Sequence, residues 1–231
     1  MLSNATIAEH SQGRVTSNDP AMRPTLSEQL WDMAWDHVLP HHFEDGFSVV
    51  RSSYARSFDF IVEHYPTIFE ESSDSPFKMY ASSSKARYYE LCDVFEFVRG
   101  GSTVGAMLSA PSDWSTYYMR SAGLVPSVQG SGVIKKFLTH VLFETLANAG
   151  VERVELDVSP ANLAMVHLMT RMSFNVTGSI LTERWGALTR FTKYLNSGCE
   201  RVFVNQFCSG VKYQLRGAHE RVAFDEKGNR S

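Results

Sequence analysis

The sequence predicts an α+β fold, with one mixed β-sheet flanked by helices and an extra helix at the N-terminal end. Three features lead there. Short alternating segments on either side of Arg99-Gly100-Gly101-Ser102 read as an antiparallel meander. The half that follows runs β-α-β-α-β-β. Between the two lies VPSVQGSGVIKKFL, Val125 to Leu138, where glycines one residue apart join a strand to a helix. The chain has 231 residues and is 43% hydrophobic, enough for one domain with a full core.

The elements follow in order. Residues 1–24 are polar and read as a loose arm. A single domain is expected over 25–215, with its common core at about 46–195, and a loose tail over 216–231. Thr25-Leu-Ser-Glu28 has the form of a capping box. Leu26, Leu30, Met33, Ala34 and Val38 follow it at helical spacing until Pro40. GFSVVRS, 46–52, alternates as a first strand. Arg56 to Phe69 is apolar at Phe58, Ile61, Val62 and Tyr65, a helix that Pro66 should bend. Residues 70–78 form a loop. Strands are expected at 92–98 and 103–110 around a Gly-Gly hairpin, because glycine permits positive φ. A third strand covers 114–125. A helix follows over 133–149, closed by Gly150 as its C′ residue. Next come a strand at 151–158, a helix from Asn162 to about Met172, strands at 174–181 and 190–195, and a further strand at 201–207.

Charge and cysteines narrow the setting. Lys+Arg number 22 against Asp+Glu 25, a net charge of −3, so a nucleic-acid partner is not expected. No apolar run reaches the roughly 18 residues of a membrane span, and the N-terminus lacks the basic start and apolar core of a secretory signal. Cys92, Cys199 and Cys208 are odd in number and widely spaced, which reads as buried thiols in a reducing compartment, the cytoplasm, and not as a disulfide framework or a metal site. His41-His42 lack the partners of a metal site and read as surface residues, and no metal is expected. Asn175-Val-Thr177 matches a glycosylation sequon inside a strand. Trp31 and Trp35, at i and i+4, dock the N-terminal helix on the core, with substrate binding or a dimer contact as the alternative. The loop with Glu70, Glu71 and Asp74 reads as a solvated acidic loop, with attraction of a cationic amine as the alternative.

The glycine-rich turn carries the chemistry. A helix N-terminus presents backbone N–H groups without intrahelical partners, and its dipole favours negative charge. Gly130 and Gly132 would let a phosphate approach the backbone closely. Lys135 and Lys136 stand in the first turn, where cations do not help a helix but would help a bound polyanion. Ile134, Phe137, Leu138, Val141, Leu142 and Thr145 keep the helix on the sheet. The Walker pattern G-x-x-x-x-G-K-S/T is absent. The dinucleotide pattern G-x-G-x-x-G fails because Lys135 stands where its third glycine belongs.

Pro126-Ser-Val-Gln129-Gly130-Ser131-Gly132-Val133-Ile134 instead resembles the acetyl-CoA loop of the GNAT family of N-acyltransferases, P-x-x-Q/R-G-x-G-I/V-G, with Ile134 in place of the last glycine. A second segment is similar to that family's next helix, N-x-x-A/S-I/V-x-L/F-Y-x-x-x-G-F. Here it stands as Asn162-Leu-Ala-Met165-Val166-His-Leu168-Met169-Thr-Arg-Met172-Ser173-Phe174. The resemblance covers about residues 46–195. It implies a centrally split sheet whose gap holds acetyl-CoA or another acyl-CoA as co-substrate. The pantetheine arm would pair near Leu124 and Val125. Backbone N–H groups of Gln129, Gly130, Ser131, Gly132, Val133 and Ile134 would take the pyrophosphate, beside Lys135. Asn162 would flank the arm, and Arg171 would reach toward the 3′-phosphate. The acceptor implied is a small-molecule or peptide amine, which attacks the thioester directly in a ternary complex. Dimers are common in the fold, though no seam is legible.

The departures fall at the chemistry. The family's tyrosine acid is Met169, and the glycine before Phe174 is Ser173. The centre of 114–125 has no carboxylate. Asp113 at its start and Tyr117, relaying a proton through water, are the catalytic candidates. Glu155 and Asp157 alternate with apolar residues, so one strand face turns them to solvent or to the cleft. His167 reads as an ordinary helix histidine. Two further readings stay open: a non-catalytic acyl-CoA-binding module, and an acyltransferase whose donor is an acyl carrier protein.

Overall fold

A computed structural model describes residues 31, 35–68, 87–183 and 185–208. The arm at 1–24, nearly all of the capped helix from Thr25, the loop at 70–78 and the tail at 216–231 lie outside the described residues.

The chain makes an eight-stranded sheet. After a 3-10 turn at Trp35–His37, β1 (His41–His42) pairs with β2 (Phe47–Ser52). Helix α1 (Tyr54–Ile68) follows, and then the meander of β3 (Asp93–Arg99), β4 (Ser102–Pro111) and β5 (Thr116–Leu124). The glycine turn leads into α2, a continuous helix built from Val133–Phe137, a π-helical stretch at Leu138–Leu142, and Phe143–Asn148. Strand β6 (Arg153–Val158), α3 (Leu163–Arg171), β7 (Asn175–Thr182), β8 (Gly186–Tyr194) and α4 (Ser197–Phe203) complete the order. The strands lie β1-β2-β3-β4-β5-β6-β8-β7. Every neighbouring pair is antiparallel except β5 and β6, which are parallel because α2 forms the crossover between them.

Two apolar layers flank the sheet. On one face, Phe137, Leu138, Val141, Leu142 and Leu146 of α2 join Met169 of α3 against Phe95, Phe97, Met107, Val154, Leu156 and Val158. The ring of Phe137 lies 5.1 Å from Phe95 and 5.7 Å from Phe97, and Trp35 meets Phe95 edge-on at 4.9 Å. On the other face, Tyr54 and Ile61 of α1 cover Val94, Ala106 and Leu108. That helix therefore shields β3 and β4, while β6 turns Arg153, Glu155 and Asp157 outward beyond it. No helix among the described residues is long and apolar enough to cross a membrane.

Two expectations are corrected. The segment 201–207 is helical: α4 is followed by a π turn at Val204–Cys208. The Asn196 side chain caps α4 by accepting from the N–H groups of Gly198 and Cys199, and Phe203 stacks on Tyr194 at 5.5 Å. Apolar residues four apart, Phe203 and Phe207, follow the helix period that an alternating reading obscures. Helix α1 also continues through Pro66 to Ile68, since a proline in the last turn removes little of the ladder. His41 and His42 form an edge strand opposite Val49 and Ser48. All three cysteines are free, but only Cys92 is buried as expected, while Cys199 on α4 and Cys208 on the π turn after it are half-buried.

Candidate active site

The sheet parts between β5 and β6. The strands pair at Thr116 with Arg153, Tyr117 with Val154 and Tyr118 with Glu155, and no further. Beyond that point β5 stays paired with β4 as far as Leu124, and β6 stays paired with β8 as far as Val158. The facing edges from Met119 and from Leu156 onward thus carry backbone groups not used between these two strands. Such edges suit an extended, amide-bearing arm lying between them. A bulge helps open the gap. Leu108 faces Ser121 while Ser109 faces Met119, so Arg120 is an extra residue on β5, and a bulge increases local bend and twist. The Arg120 guanidinium stacks 5.2 Å from the Tyr89 ring and 5.5 Å from Tyr88.

The open end of the split meets the glycine turn. Gly130 has φ 78° and Gly132 φ 80°, and among the described residues a Cβ at either would touch nothing within 4 Å. Their backbone demands glycine, and the space above them is open. Gly132 occupies the N-cap position of α2 with no side-chain cap. The Val133 N–H reaches the Ser131 hydroxyl at 3.5 Å, and the next two N–H groups of the first turn, at Ile134 and Lys135, lie beside that space without an intrahelical partner. The Val133 side chain is fully buried and anchors the turn. Gln129 braces it, because its side-chain amide donates to the Leu124 carbonyl at 3.0 Å. The backbone N–H groups of Gln129 and Ser131 donate within the turn, to Pro126 and Val128, each at 3.3 Å. The donors an anion would meet at this turn are therefore those of the glycines and the helix start. Val125 donates its N–H to Val104 at 2.9 Å, which fixes the strand exit. Lys136 pairs with Asp45, and only Lys135 of the two lysines points its charge at solvent beside the turn.

The remaining candidates scatter. Asn162, at the same end of the sheet, caps α3 by accepting from the Met165 N–H at 3.1 Å. Arg171 is exposed in the last turn of α3, roughly 13 Å along the helix from Asn162, near the level where the split closes. Met169 is fully buried. Tyr117 is also fully buried, on the α2 face, and donates to Asp93 Oδ2 at 2.7 Å. Burial, reinforced by the Asp93 charge, raises its hydroxyl pKa well above the ordinary value. The structure thus takes Tyr117 out of the split and into the core. Asp113 lies before β5, at the end away from the glycine turn. Its carboxylate accepts from the Ser115 N–H at 2.8 Å and the Thr116 hydroxyl at 2.9 Å and pairs with Arg153 at 3.3 Å. Partial burial would raise its pKa, but these donors hold it below the usual range, which makes it a weak base.

A group the sequence reading passed over sits at the closed end. Tyr118 points to the α1 face and donates to Asp157 Oδ2 at 2.9 Å. Arg190 holds Asp157 with two bonds of 2.9 Å, from Nε and Nη2, and also reaches Glu155 at 3.4 Å. Burial and the Asp157 carboxylate push the Tyr118 hydroxyl up to about 12. The outward alternation of Glu155 and Asp157 was a signal for this cluster.

A model of the acetyltransferase (GNAT) family matches residues 58–174, just over half the chain. The chain belongs to this family. Solved acetyltransferases share its fold. A putative acetyltransferase from Salmonella typhimurium, solved with its cofactor acetyl-CoA, superposes with a TM-score of 0.52 at 18% identity, over 65% of this chain and 95% of that one. An N-acetyltransferase from Staphylococcus aureus reaches 0.53 at 16% identity, over 65% and 99%. A spermidine N-acetyltransferase from Vibrio cholerae reaches 0.52 at 13% identity, over 69% and 99%. No curated protein sequence matches the chain. In this chain the split and the glycine turn lie together, and Met169 of α3 is fully buried.

Proposed function

We propose that this GNAT protein is a cytoplasmic N-acyltransferase that moves an acetyl or other short acyl group from acyl-CoA to a primary amine by direct attack in a ternary complex. The observation that carries the reading is the split itself, two strand edges that part at Tyr118 and open onto a glycine turn and a helix start. The pyrophosphate would rest on the N–H groups of Gly130, Gly132 and the first turn of α2, with Lys135 beside it. The pantetheine arm would run from Leu124 toward Tyr118, six residue steps of strand or roughly 20 Å. Bound in this way, the thioester supplies the electrophile and the protein supplies orientation. A backbone N–H at the Arg120 bulge would hold the oxyanion. The buried α2 face leaves the amine an approach from the α1 face.

The family neighbours suggest where to begin with acceptors. A polyamine such as spermidine belongs in the first panel, together with peptide N-termini and small primary amines. The test is release of CoA thiol from acetyl-CoA across that panel. Acceptor-dependent release supports transfer. Micromolar acetyl-CoA binding with no release from any member would favour the second reading, a non-catalytic acyl-CoA-binding module, to which the fully buried Met169 in the acid's place already points.

A further inference from the structure

Tyr118 is the last residue of β5 to pair with β6, yet its side chain does not end on its own partner, Glu155. It reaches across to Asp157, two residues further toward the open end. The hydroxyl therefore spans the gap just above the point where the strands part. An arm lying in the split and growing from the glycine turn would finish against it. The opposite face of the same stretch is filled by buried Tyr117, Met119, Val154 and Leu156, so an amine in water can reach this point only from the side on which Tyr118 stands.

The hydrogen-bond polarity is fixed. An ionised carboxylate only accepts, so the Tyr118 proton lies on the Asp157 side. Asp157 cannot turn away, because both its oxygens are held by Arg190 and its side chain is 3% exposed. With its proton given to Asp157, what the hydroxyl can offer to the split is a lone pair. It is thus prepared to receive a donor, which an attacking amine is and a thioester oxygen or sulfur is not.

We propose that Tyr118 receives the acceptor nitrogen at the closed end of the split, accepting a hydrogen bond from the attacking amine, with Asp157 and Arg190 as its positioning residues. This rests on the acyltransferase reading above. The neutral amine gives its lone pair to the thioester carbon, and the carbon–sulfur bonding pair leaves with CoA. The proton shed by nitrogen ends on the thiolate. Tyr118 loses no proton at any stage. It fixes the direction of the nitrogen lone pair, and a well-directed near-attack geometry is a large part of what such a reaction needs.

The test uses the full chain, with acetyl-CoA as donor and ethanolamine, spermidine and a peptide with a free N-terminus as probe amines. Acetyl-CoA affinity is read by calorimetry and turnover by thiol release. Tyr118→Phe is expected to keep the acetyl-CoA Kd within about twofold and to lower kcat/KM for the amine about 10- to 100-fold, with kcat falling as well as KM rising, as for a lost hydrogen bond that both holds and directs the amine. Asp157→Asn should shift the same parameter in the same direction, and it carries the comparison if Tyr118→Phe does not fold. A purely structural link between β5 and β6 would instead lower the melting temperature and weaken acetyl-CoA and amine together. That pattern, or wild-type amine kinetics in Tyr118→Phe, overturns the proposal. So does a wild-type protein that binds acetyl-CoA yet turns over none of the probes. Failure of wild type to bind acetyl-CoA would remove the acyltransferase reading itself, and this inference with it.

Discussion

Replacing Gly132 by alanine should separate what the glycine turn does for the fold from what it does for a ligand. Gly132 sits at φ 80°, ψ 1°, at the start of α2. A side chain in this left-handed region costs about 1–2 kcal/mol. Loss of unfolded-state freedom returns about 0.4–1 kcal/mol. The net is about 1 kcal/mol, or roughly 2–4 °C in melting temperature for a domain of this size. Among the described residues no atom lies within 4 Å of the new methyl, so packing adds nothing further. The methyl instead enters the space that a phosphate would occupy. Displacing one charge-assisted contact costs about 1.5–3 kcal/mol, which is roughly 10- to 150-fold in Kd. Gly150→Ala is the control. Gly150 has φ 86° with the same open surroundings, but it closes the far end of α2. Both variants should melt a few degrees lower by scanning calorimetry, and only Gly132→Ala should lose acetyl-CoA affinity by titration calorimetry. Equal Kd values for Gly132→Ala and wild type would refute the assignment of the turn as a phosphate cradle.

Other consequences are open to direct measurement. Phe137→Ala removes the ring that meets Phe95 and Phe97 and should cost about 3–5 kcal/mol in urea unfolding. Ser173 has φ 59° directly after α3, so Ser173→Gly should stabilise the protein by about 0.5–1 kcal/mol, seen as a melting point raised by a few degrees. Glu96 is partly buried, which by itself would raise its pKa. The hydroxyls of Ser57, Ser52 and Thr103, at 2.6, 2.8 and 3.0 Å, outweigh that and hold it below its ordinary 4.5. A lowered folded-state pKa gives stability that is present above the unfolded value and lost as pH falls through the folded one. Wild type should therefore lose stability on acidification below about 4.5, and Ser57→Ala should show a shallower loss.

Much of this architecture was legible in the sequence because its signals are local. The Gly100-Gly101 hairpin, the glycine turn, the Gly150 stop and the helix start at Asn162 each depend on a few adjacent residues, and each lies where its chemistry predicts. What was not legible depended on parity and partners. Tyr117 and Tyr118 are neighbours of the same type, and a strand sends them to opposite faces. Only the register with β4 and β6 tells which one meets the split, and the bulge at Arg120 shifts the faces again within the same strand. The Lys136 charge reads as free until Asp45, from a distant turn, is brought beside it. The π-helical stretch at Leu138–Leu142 leaves no mark on the apolar spacing. At 201–207 two periods fit the same apolar residues, and the Asn196 cap decides between them.

The central claim is that the split and its glycine turn hold an acyl-CoA, and titration calorimetry with acetyl-CoA, CoA and dephospho-CoA tests it most directly. Acetyl-CoA and CoA should bind in the micromolar range, and dephospho-CoA, which keeps the pyrophosphate but lacks the 3′-phosphate, should bind more weakly. No heat from any of the three, from protein shown to be folded, would contradict it. The chain would then keep the GNAT fold without its nucleotide site, and the search for a donor would turn to an acyl carrier protein.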